Sequence, residues 1–196
     1  MKKFVILFVV GIIGLNVQSF SQAVDDRAVI PVAVTLNSIL RLNVKSGGNI
    51  DFNFNTLDQY NSGITNSSAY DTKITVASSV NFNVNMYAED ASLLGTDSIG
   101  GSNSMPLAFI GYEVTATGTG SANSTVPGGV QALSSTATTA IVTASGSNAG
   151  DVEANAFTIS WECGTGNGAS SGPILGNNFA ADRYATNVFF VLEPAP

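Results

Sequence analysis

The sequence predicts an all-β fold, an antiparallel β-sandwich entered after a cleaved signal peptide. Three observations carry this. Apolar residues alternate with polar ones at period two wherever the chain is hydrophobic, the signature of half-buried strands. Short Gly, Ser and Asn breaks separate these runs, as turns between strands require. The polar faces are one-sided, whereas a parallel sheet covered on both sides would be apolar throughout.

At the start, Lys2 and Lys3 precede an apolar run from Phe4 to Leu15, followed by polar residues and the small-x-small pattern Ser21-Gln22-Ala23. This pattern predicts a signal peptide over 1–23. The run is too short for the roughly 20 residues of a spanning helix, so no transmembrane anchor is expected. Residues 24–196 then match the size of one domain.

The predicted strands follow in order. Ile30, Val32, Val34 and Leu36 alternate with Pro31, Ala33 and Thr35, making 24–36 an N-terminal extended strand. Leu40, Leu42 and Val44 form a second, and Ile50, Phe52 and Phe54 a third, with Ser46-Gly47-Gly48 between them as a hairpin loop. Ile74 and Val76, then Phe82, Val84 and Met86 against an asparagine ladder, give the next two. Further strands are expected at 108–116, 138–143, 156–163 and 186–193. In the 156–163 strand Phe157, Ile159, Trp161 and Cys163 share the inward face, and Glu162 takes a solvated outward position. Residues 95–150 are rich in Ser, Thr, Gly, Ala and Asn and predict long loops or weak edge strands.

A small outer-membrane β-barrel is the architectural rival, since it shares export and alternation. It would place aromatic girdles at both interfaces, yet the chain holds one Trp and five Tyr and ends Glu193-Pro194-Ala195-Pro196.

Composition restricts the chemistry. The chain carries 14 acidic and 7 basic residues, for a net charge of −7, a balance that repels phosphate backbones and argues against nucleic acid as a partner. No histidine occurs, which removes Ser-His-Asp and Cys-His nucleophile systems and the commonest metal ligand. Cys163 is the single cysteine, so no intramolecular disulfide forms, and on its inward face it is a small buried hydrophobe.

Glu89-Asp90 with Asp97, or Asp151 with Glu153, offer oxygen ligands of the kind Ca²⁺ takes, without EF-hand spacing. Solvation of an exported surface is the stronger reading of these residues. Glu113 and Glu162 would have to face each other to act as a glycosidase pair. Gly164-Thr165-Gly166-Asn167-Gly168 follows a strand but lacks the Gly-Lys-Ser/Thr ending and the following helix of a phosphate loop. The expectation is a non-catalytic protein with no cofactor.

Several phrases taken together resemble a known group: Val-Ala-Val-Thr-Leu over 32–36, Leu40-Arg41-Leu42-Asn43-Val44, Tyr70-Asp71-Thr72-Lys73, Tyr87-Ala88-Glu89-Asp90, the strand from Phe157 to Cys163, and Asp182-Arg183-Tyr184. The chain looks like the small exported β-sandwich proteins, immunoglobulin-like or pilin-like, of Bacteroidetes-type bacteria. That resemblance implies a structural or adhesive role at the cell surface, with fimbrial-type filament subunits among its members. The missing disulfide departs from chaperone–usher pilins. Asp97-Ser98-Ile99 is similar to the O-glycosylation acceptor triplet of such bacteria, with Ser98 as carrier.

The mechanism expected is strand addition: Ile30, Val32, Val34 and Leu36 fill a neighbour's groove while main-chain hydrogen bonds pair with its open edge. Pairing of the same strand within its own sheet is the competing outcome. The functional expectation is a self-associating homopolymer, secreted or at the cell surface. A secreted carbohydrate-binding module that meets surface glycans through exposed Asn and Tyr is the alternative.

Overall fold

The structure is a computed structural model that describes residues 30–96 and 103–196. The expected signal peptide and Ser98 lie outside the described residues. The chain divides into two units, Met1–Leu36 and Asn37–Pro196. In the first, residues 30–36 form neither helix nor strand and every side chain is exposed.

The second unit is built of antiparallel strands. In chain order these begin with β1 (Leu40–Ser46), a short helix α1 (Leu57–Ser62), β2 (Asp71–Ser78), β3 (Phe82–Ala88) and β4 (Ser92–Gly95). Next come β5 (Ser104–Pro106), β6 (Ile110–Ala116), β7 (Ser124–Thr125) and β8 (Gln131–Ala132). The chain finishes with β9 (Ala140–Ala144), β10 (Ala156–Cys163), β11 (Tyr184–Ala185) and β12 (Val188–Pro194). A five-stranded sheet has the order β1-β2-β10-β6-β8, a four-stranded sheet β12-β3-β9-β7, and a small third sheet β11-β4-β5. The all-β, antiparallel expectation is met.

One core joins the two larger sheets. Ile74, Val76, Phe157 and Ile159 of the five-stranded sheet and Phe82, Val84, Met86 and Val142 of the four-stranded one belong to a single buried cluster. Alternation explains which residues reach it, because successive strand side chains point to opposite faces. Successive strands β2 and β3 lie in different sheets, and the Ser78-Ser79 break is where the chain crosses over. Ser79 is tied there to the start of β1, its N–H donating to the Ile39 carbonyl at 3.0 Å and its hydroxyl accepting from Ile39 N–H at 2.8 Å.

The expected hairpin between residues 40–45 and 50–55 does not form. β1 pairs with β2 instead, with Leu42 opposite Val76 and Val44 opposite Ile74. The glycine that suggested a tight turn serves a close approach: Gly47 has φ +71°, and a Cβ there would stand 2.0 Å from the Asp71 carbonyl oxygen. Thr72 Oγ1 donates to the Gly47 carbonyl at 2.7 Å and fixes that contact. Ile50, Phe52 and Phe54 still pack half-buried against the core, with Phe52 4.6 Å from Tyr70 and Phe54 5.4 Å from Tyr60 between ring centres. Their alternation reports one-sided burial without a ladder of hydrogen bonds.

Helix α1 begins with a capping box. Thr56 Oγ1 accepts from Gln59 N–H at 3.3 Å, and Gln59 Oε1 accepts from Thr56 N–H at 3.1 Å, satisfying donors that a helix start leaves open. Asn148, at the end of a stretch expected to be loop, is buried and plugs the start of β3. It accepts from Phe82 N–H and donates to the Phe82 carbonyl, both at 3.0 Å, so one carboxamide replaces a strand partner for a core residue.

The glycine contact gives a paired test. Gly47→Ala is expected to lose about 1–3 kcal/mol in urea unfolding, from a positive φ and a backbone clash. Gly48→Ala, with nothing within 4 Å of its new methyl, is expected to stay within about 0.5 kcal/mol of wild type. Equal effects at the two positions would contradict the close approach of Gly47 to the Asp71 backbone.

Candidate functional site

The residues expected to drive assembly are exposed. Ile30, Val32, Val34 and Leu36 have 82, 84, 78 and 89 % of their surface accessible, an unusual run of apolar residues left in water. The description of this segment begins at Ile30, so Val24 to Val29 of the expected strand lie outside it.

Within the second unit, one margin of the core is thinly covered. β1 is an outer strand of the five-stranded sheet, β12 an outer strand of the four-stranded sheet, and the two strands touch. Core-facing Leu40 and Leu42 of β1 are half-buried and Val44 is exposed. Val188, Phe190 and Leu192 of β12 are also only half-buried. Their partners one strand inward are sealed: Val76 opposite Leu42, Val84 opposite Leu192 and Met86 opposite Phe190 are at most 1 % accessible. Among the described residues each outer strand is paired on one side alone, so its other side offers backbone donors and acceptors.

Glu162 is the chief correction to the sequence reading of individual side chains. It is 2 % accessible, not solvated. The glycine-punctuated turn after β10 folds back over it: Thr165 Oγ1 donates to Oε1, Ser170 Oγ donates to Oε1 at 3.3 Å, and Asn167 Nδ2 donates to Oε2 at 3.1 Å. Positive φ at Gly164, Gly166 and Gly168 lets the chain curl tightly enough to bring these groups round. Gly111 lies below, where a Cβ would meet Glu162 Cγ at 2.8 Å. The loop that superficially resembled a phosphate cradle is thus a lid whose polar groups face a buried carboxylate. Hydroxyl and amide donors replace the water this carboxylate loses.

Of the other acidic candidates, Glu89, Asp90 and Asp151 have local partners. Register places Glu113 opposite Ser160 and Glu162 opposite Gly111, so both carboxylates lie on the same sheet face. Glu113 remains half-buried, while all the Glu162 hydrogen bonds given above close within the lid. Asp151 Oδ1 accepts from the N–H groups of Glu153 and Ala154 at 3.0 and 2.9 Å, a turn-closing role. Asn187 donates to Glu89, and Thr186 Oγ1 donates to Asp90 at 3.1 Å; Asp97 lies outside the described residues. Among the described residues no group of three or more acidic, His or Cys side chains converges as a metal site, and no described helix is long and apolar enough to cross a membrane.

Cys163 is buried and free, and burial, reinforced by the Glu162 charge, pushes its thiol up to about 12. Trp161 is a core residue as its face implied: its indole N–H donates to Thr72 Oγ1 at 2.9 Å. A half-open cavity of about 240 Å³ lies between Tyr60, Ile174, Leu175 and Phe179, below the roughly 300–1,000 Å³ of ordinary ligand pockets.

No protein-family model matches the chain, and no curated protein matches it either.

Two tests follow from the lid and the thiol. Glu162→Ala removes the acceptor shared by Thr165, Asn167 and Ser170, leaves Asn167 Nδ2 without its partner, and is expected to cost about 2–3 kcal/mol in chemical denaturation; a loss under about 0.5 kcal/mol would mean the lid is not held by the carboxylate. For Cys163 the folded value lies above the ordinary 9.0. Its contribution to stability is therefore complete below pH 9 and declines as pH rises toward about 12. The native thiol should stay unlabelled by a disulfide reagent at pH 8 and react on unfolding; fast native labelling would contradict its burial.

Proposed function

We propose that this chain is an exported, non-catalytic β-sandwich subunit that self-associates at the cell surface by strand addition. Residues 30–36 of one copy join the β1/β12 margin of the next as an extra strand. The observation that carries this reading is a complementary pair: an exposed segment of alternating Ile30, Val32, Val34 and Leu36, and a core margin whose Val44, Phe190 and Leu192 are incompletely covered. The period-two spacing of the segment suits a strand with one face on that margin.

Magnitudes show why register matters. Burying each large aliphatic side chain gives about 1.5–3 kcal/mol, against an ordering cost of about 1–2 kcal/mol per backbone residue. The two effects nearly offset, so main-chain hydrogen bonds to a free edge decide the sign. A shift of one residue would turn the apolar side chains to water and abolish the gain.

The test is light scattering and negative-stain electron microscopy of the chain from Val24 onward, over a concentration series, beside a variant lacking Val24 to Val34. Regular polymers that disappear in the folded deletion variant are expected. A monodisperse monomer at every concentration, or polymers that survive the deletion, would overturn strand addition.

A further inference from the structure

The outer face of the β3/β12 pair is built unlike the rest of the surface. Alternation sends Phe82, Val84, Met86 and Ala88 into the core and puts Asn83, Asn85 and Tyr87 on the other face, where Asn83 and Tyr87 are half-buried and Asn85 is only 8 % accessible; Glu89 continues that row and is exposed. On β12, Phe189 stands opposite Tyr87 and Val191 opposite Asn85, and Glu89 N–H donates to the Asn187 carbonyl at 2.8 Å, which extends the ladder by one rung. The Tyr87 and Phe189 rings lie 5.4 Å apart, inclined at 38°, and Phe189 is 41 % accessible.

A carboxylate–carboxamide couple brackets this aromatic pair on each side. Asn187 Nδ2 donates to Glu89 Oε2 at one end, and Asn85 Nδ2 donates to Glu193 Oε2 at 3.3 Å at the other. Rungs on one face are about 7 Å apart along a strand, so the aromatic pair and the two polar couples form a row along the strands. Strands β3, β7, β9 and β12 contain no Lys or Arg, leaving the face negative with no internal counter-charge.

We infer that this face binds a glycan carrying free amino groups, a hexosamine polymer in its ammonium form. The rings of Tyr87 and Phe189 take the C–H face of a pyranose and attract an adjacent ammonium. Glu89 and Glu193 accept from ammonium groups on flanking sugars, and the exposed carboxamide of Asn187 meets hydroxyls, which both donate and accept; Asn85, 8 % accessible, holds Glu193 in place from below. Charge complementarity excludes anionic polysaccharides. A peptide strand would need free backbone groups at an edge, whereas this surface offers side chains across a sheet face. The inference is independent of strand addition, which uses the sheet margin and leaves this face open.

The experiment is isothermal titration of the chain with a fully deacetylated β-1,4-glucosamine hexamer below the pKa of its amines. Saturable binding that weakens with salt is expected. Phe189→Ala should weaken it about tenfold, and Glu89→Gln and Glu193→Gln should each weaken it and flatten the salt dependence, with unchanged melting curves showing that the variants fold. Absence of saturable heat would overturn the proposal, as would equal binding of the N-acetylated hexamer. Equally tight binding of hexalysine would also overturn it, because charge alone would then suffice.

Discussion

The antiparallel register that holds β10 between β2 and β6 is the constraint on which the rest depends. It sets Phe157 opposite Ile74 and Ala116, and Ile159 opposite Thr72 and Val114, so every second residue of β10 is committed to the core. The Trp161 indole then reaches Thr72, whose hydroxyl holds the Gly47 carbonyl. One hydrogen-bonded chain thereby links the sheet centre to the segment that leaves β1. The alternate face of β10 carries Glu162, and the turn that follows must fold back to cover it. A one-residue slip would bury Ser160 and Glu162 in the core and expose Ile159 and Trp161.

The same architecture accounts for the proposed assembly. A core shared by two sheets is well sealed at its inner strands and poorly sealed where two outer strands meet. At β1 and β12 the side chains are apolar and only partly covered, while β7 and β8, the opposite outer strands, are two residues long. Very short edges are a common guard against unwanted pairing. The long edges are therefore the places where an added strand gains both hydrogen bonds and apolar burial, and the exposed 30–36 segment has the side-chain period to supply them.

Much of the fold was legible as pattern. The runs at 74–76, 82–86, 156–163 and 186–193 sit in β2, β3, β10 and β12 because each has one face on a dry core and one outside, which writes itself as period two. Pairing was not legible. Residues 50–54 alternate for the same physical reason yet make no ladder, and Gly47 marked a close backbone approach where a turn was expected. Glu162 was misjudged because alternation assigns a face but not what covers that face. The signal was the run of short polar side chains, Thr165, Asn167 and Ser170, spaced by glycines just beyond the strand. The Thr56/Gln59 capping box was readable too, but α1 is only 6 residues long and shows no helical period. The half-covered margin could not be read at all, because it arises from which strands happen to end each sheet.

Hydrogen–deuterium exchange across a concentration series tests the central claim most directly. Strand addition requires the outward-facing backbone amides of β1 and β12 to gain protection as concentration rises, in the full chain but not in one lacking residues 24–34, with β7 and β8 unchanged. Concentration-independent exchange at β1 and β12, or protection that appears at β7 and β8 instead, would contradict the account.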